Sequence, residues 1–405
     1  MNIKDRLKIK LQEISNILDV QNLDNKDIGI LSGASGVALF QFYYSKFTEE
    51  DSHADKAVET ITNTIDRINE GFLFPTFCTG IAGLCWTIEI LKEEEFIELD
   101  DDFFDEDLDL YLLNAMKTDV ESENYDFLHG AMGYGYYFLK RYQNAKSIAA
   151  KNTYKKYLKE LVKALKKSSK KNSAGIYWKS VLKKEEGLEG CNLSLSHGIS
   201  SMVNFLSRLA EYEDFYIKVD ELLRQAVRYI MSCENKDTTL TSSFPNWVLE
   251  ETPSSENSRL AWCYGDLGIG ISLLRAAEIL NDNQLKNEII KILKYSTKRM
   301  DAEEAGIKDA GLCHGAYGVL HIYNYLYKKT KDIAFKEAAD FWAQKAFDMG
   351  IHKHGYAGYM VWRGGNKEKW EPEVSLLEGI AGIGLTILSY LAPFDTKWDE
   401  CLLIG

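Results

Sequence analysis

The sequence predicts an all-α protein: an α/α toroid of seven helix-pair repeats with short β-like hairpins at its rim. Three observations lead there. A glycine motif recurs seven times, each copy opens an apolar segment of helical length, and only 5 prolines interrupt 405 residues.

The motif is a polar residue followed by small-x-x-small. It reads SGASG at 32–36, TGIAG at 79–83, HGAMG at 129–133, HGISS at 197–201, YGDLG at 264–268, HGAYG at 314–318 and EGIAG at 378–382. The first glycines, at 33, 80, 130, 198, 265, 315 and 379, stand 47, 50, 68, 67, 50 and 64 residues apart. Such a period marks an array of supersecondary units. Glycine lets two backbones approach closely where a helix starts, and runs such as GVALFQFYY from Gly36 and GIGLTILSYL from Gly382 supply the helices. Second helices lie between the copies. Val219, Leu222, Leu223, Ala226, Val227 and Ile230, for instance, form one apolar stripe.

Two helices per unit and seven units suggest a ring with the glycine-led helices inside and their partners outside. Closure matters, because an open array would leave apolar ends that need caps. The chain exceeds the ~250–300 residues at which single cores usually split, so residues 1–405 are expected to form one repetitive domain. The N-terminal MNIKDRLKIKLQEISNILDV carries charge in every turn and reads as an amphipathic helix, not a signal peptide. No apolar run reaches membrane-spanning length.

Three repeats are longer, and their extra length carries β-like runs: GIYWKSVL around Trp178, FPNWVLEE around Trp247 and YMVWRGG around Trp362. Each precedes a glycine motif by a similar distance. Hairpins there should rim one mouth of the ring and wall an extended ligand, unless the tryptophans only pack the hairpins down.

Composition narrows the function. Lys+Arg 48 against Asp+Glu 61 leave a net charge of −13, a surface that repels phosphate backbones and argues against general nucleic-acid binding. Seven cysteines, at 78, 85, 191, 233, 263, 313 and 401, form an odd set without close pairing, which suits a reducing cytoplasm.

If the ring closes, the residue before each first glycine takes an equivalent place near one mouth of the axis. These residues are Ser32, Thr79, His129, His197, Tyr264, His314 and Glu378. All are polar, and buried polar groups need partners or water. Helix capping would account for Ser32 and Thr79 but not for three histidines. Cys313 precedes His314, and Cys263 precedes Tyr264 at the same offset one repeat earlier. Adjacent repeats thus offer Cys263, Cys313 and His314 to one point on the axis. Neighbouring residues diverge by about 100° on a helix, but at a helix start they can splay around one ion. Two thiolates and an imidazole suit Zn²⁺, and three protein ligands leave a fourth position open, as in catalytic sites.

The WCYG at 262–265, CHG at 313–315, SHG at 196–198 and LLEGIAGIG at 376–384 together resemble the lanthionine synthetase C-like proteins, above all their stand-alone lanthipeptide cyclases. The seven motifs spread that resemblance over nearly the whole chain. It implies an α/α toroid with a central zinc that closes thioether rings in a dehydrated precursor peptide, with a dehydratase and an exporter as further partners in a modification complex. The resemblance carries the zinc ligands onto Cys263, Cys313 and His314. It carries the catalytic histidine onto His197, the aspartate onto Asp126 in NYDFLHG, the arginine onto Arg259 in SRLAWC and the tyrosine onto Tyr264. Asp126 is matched only by its offset, and His129 receives no role.

The chemistry follows from those residue types. A cysteine with a pKa near 8.5 is mostly thiol at neutral pH, whereas a metal makes it a thiolate. That thiolate adds to the β-carbon of dehydroalanine or dehydrobutyrine, leaving charge on the enolate oxygen until the α-carbon is protonated. His197 is the natural proton carrier. Asp126 would orient it, and Arg259 and Tyr264 would steady the enolate. Two further stretches, the basic helix of lysines from Lys155 to Lys171 and the acidic run from Asp100 to Asp109, each read as a solvated face, with docking of a peptide leader or the dehydratase as the alternative.

Other readings stay open. A glutathione-binding or glutathione-transferring zinc protein of the same family would use the same metal. A peptide-binding scaffold with structural zinc would need His129 or His197 as a fourth ligand. A toroid glycosidase would need paired acids, and among the seven positions only Glu378 is acidic.

Overall fold

The structure, a computed structural model, describes residues 1–21, 26–100, 103–104, 106–183, 186–249, 256–364 and 368–405. Fourteen α-helices run through them: α1 (Ile3–Gln21), α2 (Ala34–Thr48), α3 (Asp51–Asn69), α4 (Ile81–Glu93), α5 (Glu106–Glu121), α6 (Ala131–Asn144), α7 (Ile148–Ser168), α8 (Ile199–Ala210), α9 (Glu213–Ser232), α10 (Asp266–Ile279), α11 (Asn283–Ser296), α12 (Ala316–Thr330), α13 (Ile333–Asp348) and α14 (Ile380–Leu391).

The even-numbered helices are the glycine-led ones, and they are buried almost along their length: every residue from Ile380 to Ser389 in α14, and from Ile81 to Leu91 in α4. Their partners bury one face only. In α9 that face is Phe215, Val219, Leu222, Leu223, Ala226, Val227, Tyr229 and Ile230, the stripe expected from the spacing. Each large apolar side chain fully buried in this way contributes about 1.5–3 kcal/mol, so the fold rests on these apolar faces.

The chain divides into two compact units. One comprises Met1–Glu98, Met300–Leu403 and Gly405, the other Leu99–Arg299 and Ile404. In the first, α1 packs on α14, α2 on α3 and α12 on α13; in the second, α6 packs on α7, α8 on α9 and α10 on α11.

Each glycine-led helix starts in the same way. The N-cap is the motif glycine itself, at 33, 80, 130, 198, 265, 315 and 379, with no side-chain cap. Before α2, α4, α6, α12 and α14 the loop folds back so that the first helical N–H bonds the carbonyl seven residues earlier: Ala34 to Asp27 at 3.1 Å, Ile81 to Phe74 at 2.9 Å, and Ala131, Ala316 and Ile380 to Asn124, Asp309 and Glu373 at 3.0 Å. A Cβ at Gly80 or Gly198 would stand 2.1 Å from the carbonyl oxygen of Phe74 or Asn192. Close approach therefore demands glycine here. Gly265 adds a positive φ of 86°.

The capping role expected for Ser32 and Thr79 is not what the structure has. The glycine takes the cap position, Ser32 Oγ lies 3.3 Å from Cys78 Sγ, and Thr79 Oγ1 shares a hydrogen bond of 2.9 Å with Thr76 Oγ1.

Backbone hydrogen bonds link successive motif loops within each unit. In the first unit, Leu31 N–H bonds Cys78 O at 3.1 Å, Leu377 N–H bonds Leu31 O at 2.8 Å and Leu312 N–H bonds Leu377 O at 3.1 Å. The seventh repeat thus lies directly beside the first. In the second unit, Leu195 N–H bonds Cys263 O at 3.0 Å, joining the fourth and fifth repeats.

The strands are β1 (Lys170–Lys171), β2 (Ile176–Tyr177), β3 (Ser180–Lys183), β4 (Leu188–Asn192), β5 (Trp247–Val248), β6 (Val361–Arg363) and β7 (Lys369–Glu371). Around Trp362 a hairpin forms as expected, β6 pairing with β7. Around Trp247 it does not: β5 joins β4 of the preceding repeat, opposing Trp247 to Asn192. Trp178 is buried and donates its Nε1–H to Leu165 O at 2.9 Å, so it packs its hairpin down. Residues 250–251 and 365 of these stretches lie outside the described residues.

The lysine-rich helix ends at Ser168, and Lys170 and Lys171 form β1. Asp109 departs from the solvated acidic face: it is buried and accepts from Tyr137 and Tyr154 hydroxyls at 2.7 and 2.6 Å. Asp101, Asp102 and Asp105 lie outside the described residues. All seven cysteines are outside disulfides, and among the described residues no helix is long and apolar enough to cross a membrane.

Candidate functional site

The candidate residues sit where the repeats predict, in the loops that lead into glycine-led helices. In the second unit, three such loops bring Asp126, His197 and Tyr264 together. Asp126 Oδ1 accepts the N–H groups of Leu128 and His129 at 2.7 and 2.8 Å, and its Oδ2 lies 2.5 Å from His197 Nδ1. Asp126, the weakest match in the sequence, is therefore the direct partner of the imidazole.

His197 is fixed from its own side as well. Asn192 Oδ1 accepts Ser194 N–H at 2.9 Å, and Ser194 Oγ accepts His197 N–H at 3.0 Å. Asn192 Nδ2 also donates to the Tyr264 hydroxyl at 3.2 Å. The Tyr264 and His129 rings each lie with their centroid 6.5 Å from that of His197, the latter nearly parallel to it.

These contacts set the proton affinities. Burial alone would lower the pKa of His197, but the hydrogen bond and charge of Asp126 outweigh it and raise the value above 6.5, with nearby Cys263 acting in the same direction. Burial pushes the Asp126 carboxyl up, yet the His197 hydrogen bond and charge, with the His129 N–H, bring it below 3.8. Burial raises the Tyr264 phenol despite the Asn192 hydrogen bond. The result is a pair in which each partner favours the charged form of the other. Arg259 is half-buried in the loop before α10; among the described residues, Asp126, His197 and Tyr264 are not bound to it by a hydrogen bond or ion pair.

Cys263 is buried in the same unit, one residue before Tyr264. In the first unit Cys313 and His314 are half-buried, and Cys313 Sγ lies within 4.8 Å of a ring nitrogen of His314. Cys313 N–H bonds Leu377 O at 2.9 Å. His314 Nε2 lies 3.4 Å from Asp309 Oδ2. Glu378, the acidic motif position, is held by the Arg363 guanidinium of the β6–β7 hairpin, which also reaches Glu373 at 3.5 Å.

Residues 24–403 match the lanthionine synthetase C-like protein family. The chain belongs to that family. Among solved structures, nisin cyclase is similar with a TM-score of 0.74 over 98% of both chains, at 19% identity. A sugar epimerase from a ruminal bacterium has a TM-score of 0.46 at 10% identity, covering 98% of this chain and 100% of that one. Cellobiose 2-epimerase from Bacillus thermoamylovorans has 0.45 at 12%, covering 96% and 99%. The likeness to nisin cyclase, with the helices described above, gives this lanthionine synthetase C-like protein its fold: mostly helical, an α/α toroid.

Sequence reasoning missed Asn192, Ser194 and Asp309, which hold the candidate residues in place. A signal exists: the residue six before the first motif glycine is Asp27, Asn124, Asn192, Asp309 or Glu373 in five repeats, each of a type able to accept a loop N–H.

Proposed function

We propose that this family member is a zinc-dependent lanthipeptide cyclase. It adds cysteine thiolates of a dehydrated precursor peptide to dehydroalanine or dehydrobutyrine, forming lanthionine or methyllanthionine thioethers. Family membership over residues 24–403 supports the reaction class. The observation that carries the assignment is the Asp126–His197 pair near Cys263, a proton carrier close to a cysteine that could hold a metal.

Cys263, Cys313 and His314 would hold the zinc. The donors fit it: two thiolates and an imidazole match a borderline-soft, tetrahedral ion and leave one position for substrate. Bound there, zinc would keep the peptide cysteine as its thiolate at neutral pH.

The remaining steps belong to the chain's own side chains. As the new C–S bond forms at the β-carbon, the double-bond electrons move onto the substrate carbonyl oxygen. Tyr264 and Arg259 would stabilise that charge. His197, its proton affinity raised by Asp126, would deliver the proton to the α-carbon, and its lost proton would be restored from the departing thiol proton. Asp126 raises the basicity of His197 and fixes its Nδ1 side, so that Nε2 serves the substrate. The whole chain would act as one catalytic domain in the cytosol, in a modification complex with a dehydratase and an exporter.

The test is to incubate the purified, zinc-loaded protein with a dehydrated cysteine peptide and count remaining thiols by alkylation and mass spectrometry. The expected outcome is the loss of one thiol per ring without a change in peptide mass. Thiol numbers equal to those of a protein-free control would overturn the assignment, and consumption of glutathione instead would point to the glutathione-using branch.

A further inference from the structure

We propose that His129 is a further catalytic residue: its ring N–H donates to the carbonyl oxygen of the dehydrated residue while His197 protonates the α-carbon beside that carbonyl. This assignment deepens the cyclase reading above and rests on it.

The loop before α6 needs no imidazole at this place. The backbone of His129 is secured at both ends, its N–H by Asp126 Oδ1 at 2.8 Å and its carbonyl by Asn124 Nδ2 at 3.3 Å. Other repeats put serine, threonine or glutamate there, at Ser32, Thr79 and Glu378. The side chain is exposed, so core packing does not call for it either.

What the imidazole has is a fixed neighbour. Its ring lies nearly parallel to that of His197, with 19° between the planes and 6.5 Å between the centroids. Both rings address one carboxylate: Asp126 Oδ2 holds His197 Nδ1, and a charge on either histidine favours the ionised Asp126. With Nδ1 engaged, His197 serves the substrate through Nε2.

The spacing suits two adjacent substrate atoms. A carbonyl oxygen stands about 2.4 Å from its α-carbon. A proton donor approaches that carbon to about 3–3.5 Å, and a donor to an oxyanion sits about 2.7–3.1 Å from the oxygen. End to end the path is about 8 Å, and rings 6.5 Å apart span it when it bends at the substrate. As the C–S bond forms, the double-bond electron pair moves onto the oxygen, and it returns when His197 gives its proton to the α-carbon. His129 keeps its own proton throughout, so it changes nothing in the balance of the addition. It stabilises charge that develops only on the way to the enolate.

The experiment compares the unmutated, zinc-loaded chain with His129→Phe, which keeps a ring without an N–H, and His129→Gln, which keeps an N–H without a ring. The substrate is a peptide with one cysteine and one dehydroalanine, thioether formation is read by alkylation and mass spectrometry, and zinc is measured in each sample. His129→Phe should keep its zinc and lose roughly 10²-fold in kcat with KM nearly unchanged. His129→Gln should recover part of that loss. An equal loss in both variants overturns the proposal, as does loss of zinc, which would make His129 a metal ligand. If His129→Phe fails to fold, the unmutated protein decides: ¹⁵N-histidine NMR should show the His129 ring nitrogens shifting when a cysteine-free dehydroalanine peptide saturates the site, and unmoved signals overturn the proposal. Full kcat in His129→Phe beside an active unmutated chain sinks this inference alone. No thioether formed by the unmutated chain removes the cyclase reading and this inference with it.

Discussion

Replacing Asp126 by Asn isolates what its charge does. Oδ1 holds two backbone N–H groups, at 2.7 and 2.8 Å, and Oδ2 holds His197 Nδ1 at 2.5 Å. An amide oxygen keeps the first two bonds, so the loop before α6 should survive. The charged partner of His197 is what disappears. Hydrogen bonds to charged groups contribute about 1.5–3 kcal/mol. The two side chains are 35% and 21% exposed, and solvent screening reduces the expected loss to about 1 kcal/mol.

The pH dependence carries the sign. Asp126 is lowered below 3.8, so its contribution is present above that ordinary value and fades as pH falls through the folded-state value; His197 is raised above 6.5, so its contribution is complete below 6.5 and fades as pH rises through the folded-state value. The stability deficit of Asp126→Asn should therefore be greatest between pH 3.8 and 6.5. Urea unfolding followed by circular dichroism across pH measures it. In the same variant the alkaline limb of thioether formation should move to lower pH, because His197 releases its proton earlier. A deficit equal at about pH 5 and about pH 9, with an unmoved rate profile, would refute the ion pair.

His197→Asn should keep its zinc and lose cyclisation by roughly 10²- to 10⁴-fold, the range of general acid and base catalysis, as read by mass spectrometry beside elemental analysis. Cys263→Ala should lose the metal and retain its helical circular dichroism, because the helices are held by apolar faces. Gly382→Ala would place a Cβ 1.8 Å from Leu376 O and 2.6 Å from Leu312 Cδ1; such overpacking should cost at least about 1–3 kcal/mol and lower the melting temperature, whereas an unchanged melt would show that the loop yields.

The repeats were legible because glycine is not interchangeable at a helix start pressed against a carbonyl: Gly80 and Gly198 admit no Cβ. Cys263, Cys313, His314 and His197 stood out as candidates because rare residue types fall at fixed offsets from those glycines. The supporting groups were hidden for the opposite reason. Asn192 and Asp309 are common loop residues, and only their hydrogen bonds to Ser194, Tyr264 and Gly311 distinguish them. The pairing of Trp247 with Asn192 in another repeat leaves no local trace, since a two-residue strand finds its partner through tertiary position. Ser32 and Thr79 misled because capping residues and motif residues share a composition.

The hydrogen bond from Leu377 to Leu31 bears on how the protein is made. The unit spanning Leu99–Arg299 is contiguous but for Ile404, whereas the other is assembled from Met1–Glu98 and Met300–Leu403. During synthesis the contiguous unit can complete nearly all its packing while the first two glycine-led helices still wait for α12 and α14. Contacts between distant parts of a chain form late and slowly. The ribosome thus releases a chain whose middle half is already ordered and whose first residues have been the longest exposed. Arg259, Cys263 and the Asp126–His197 pair are in place before Cys313 and His314 have left the exit tunnel.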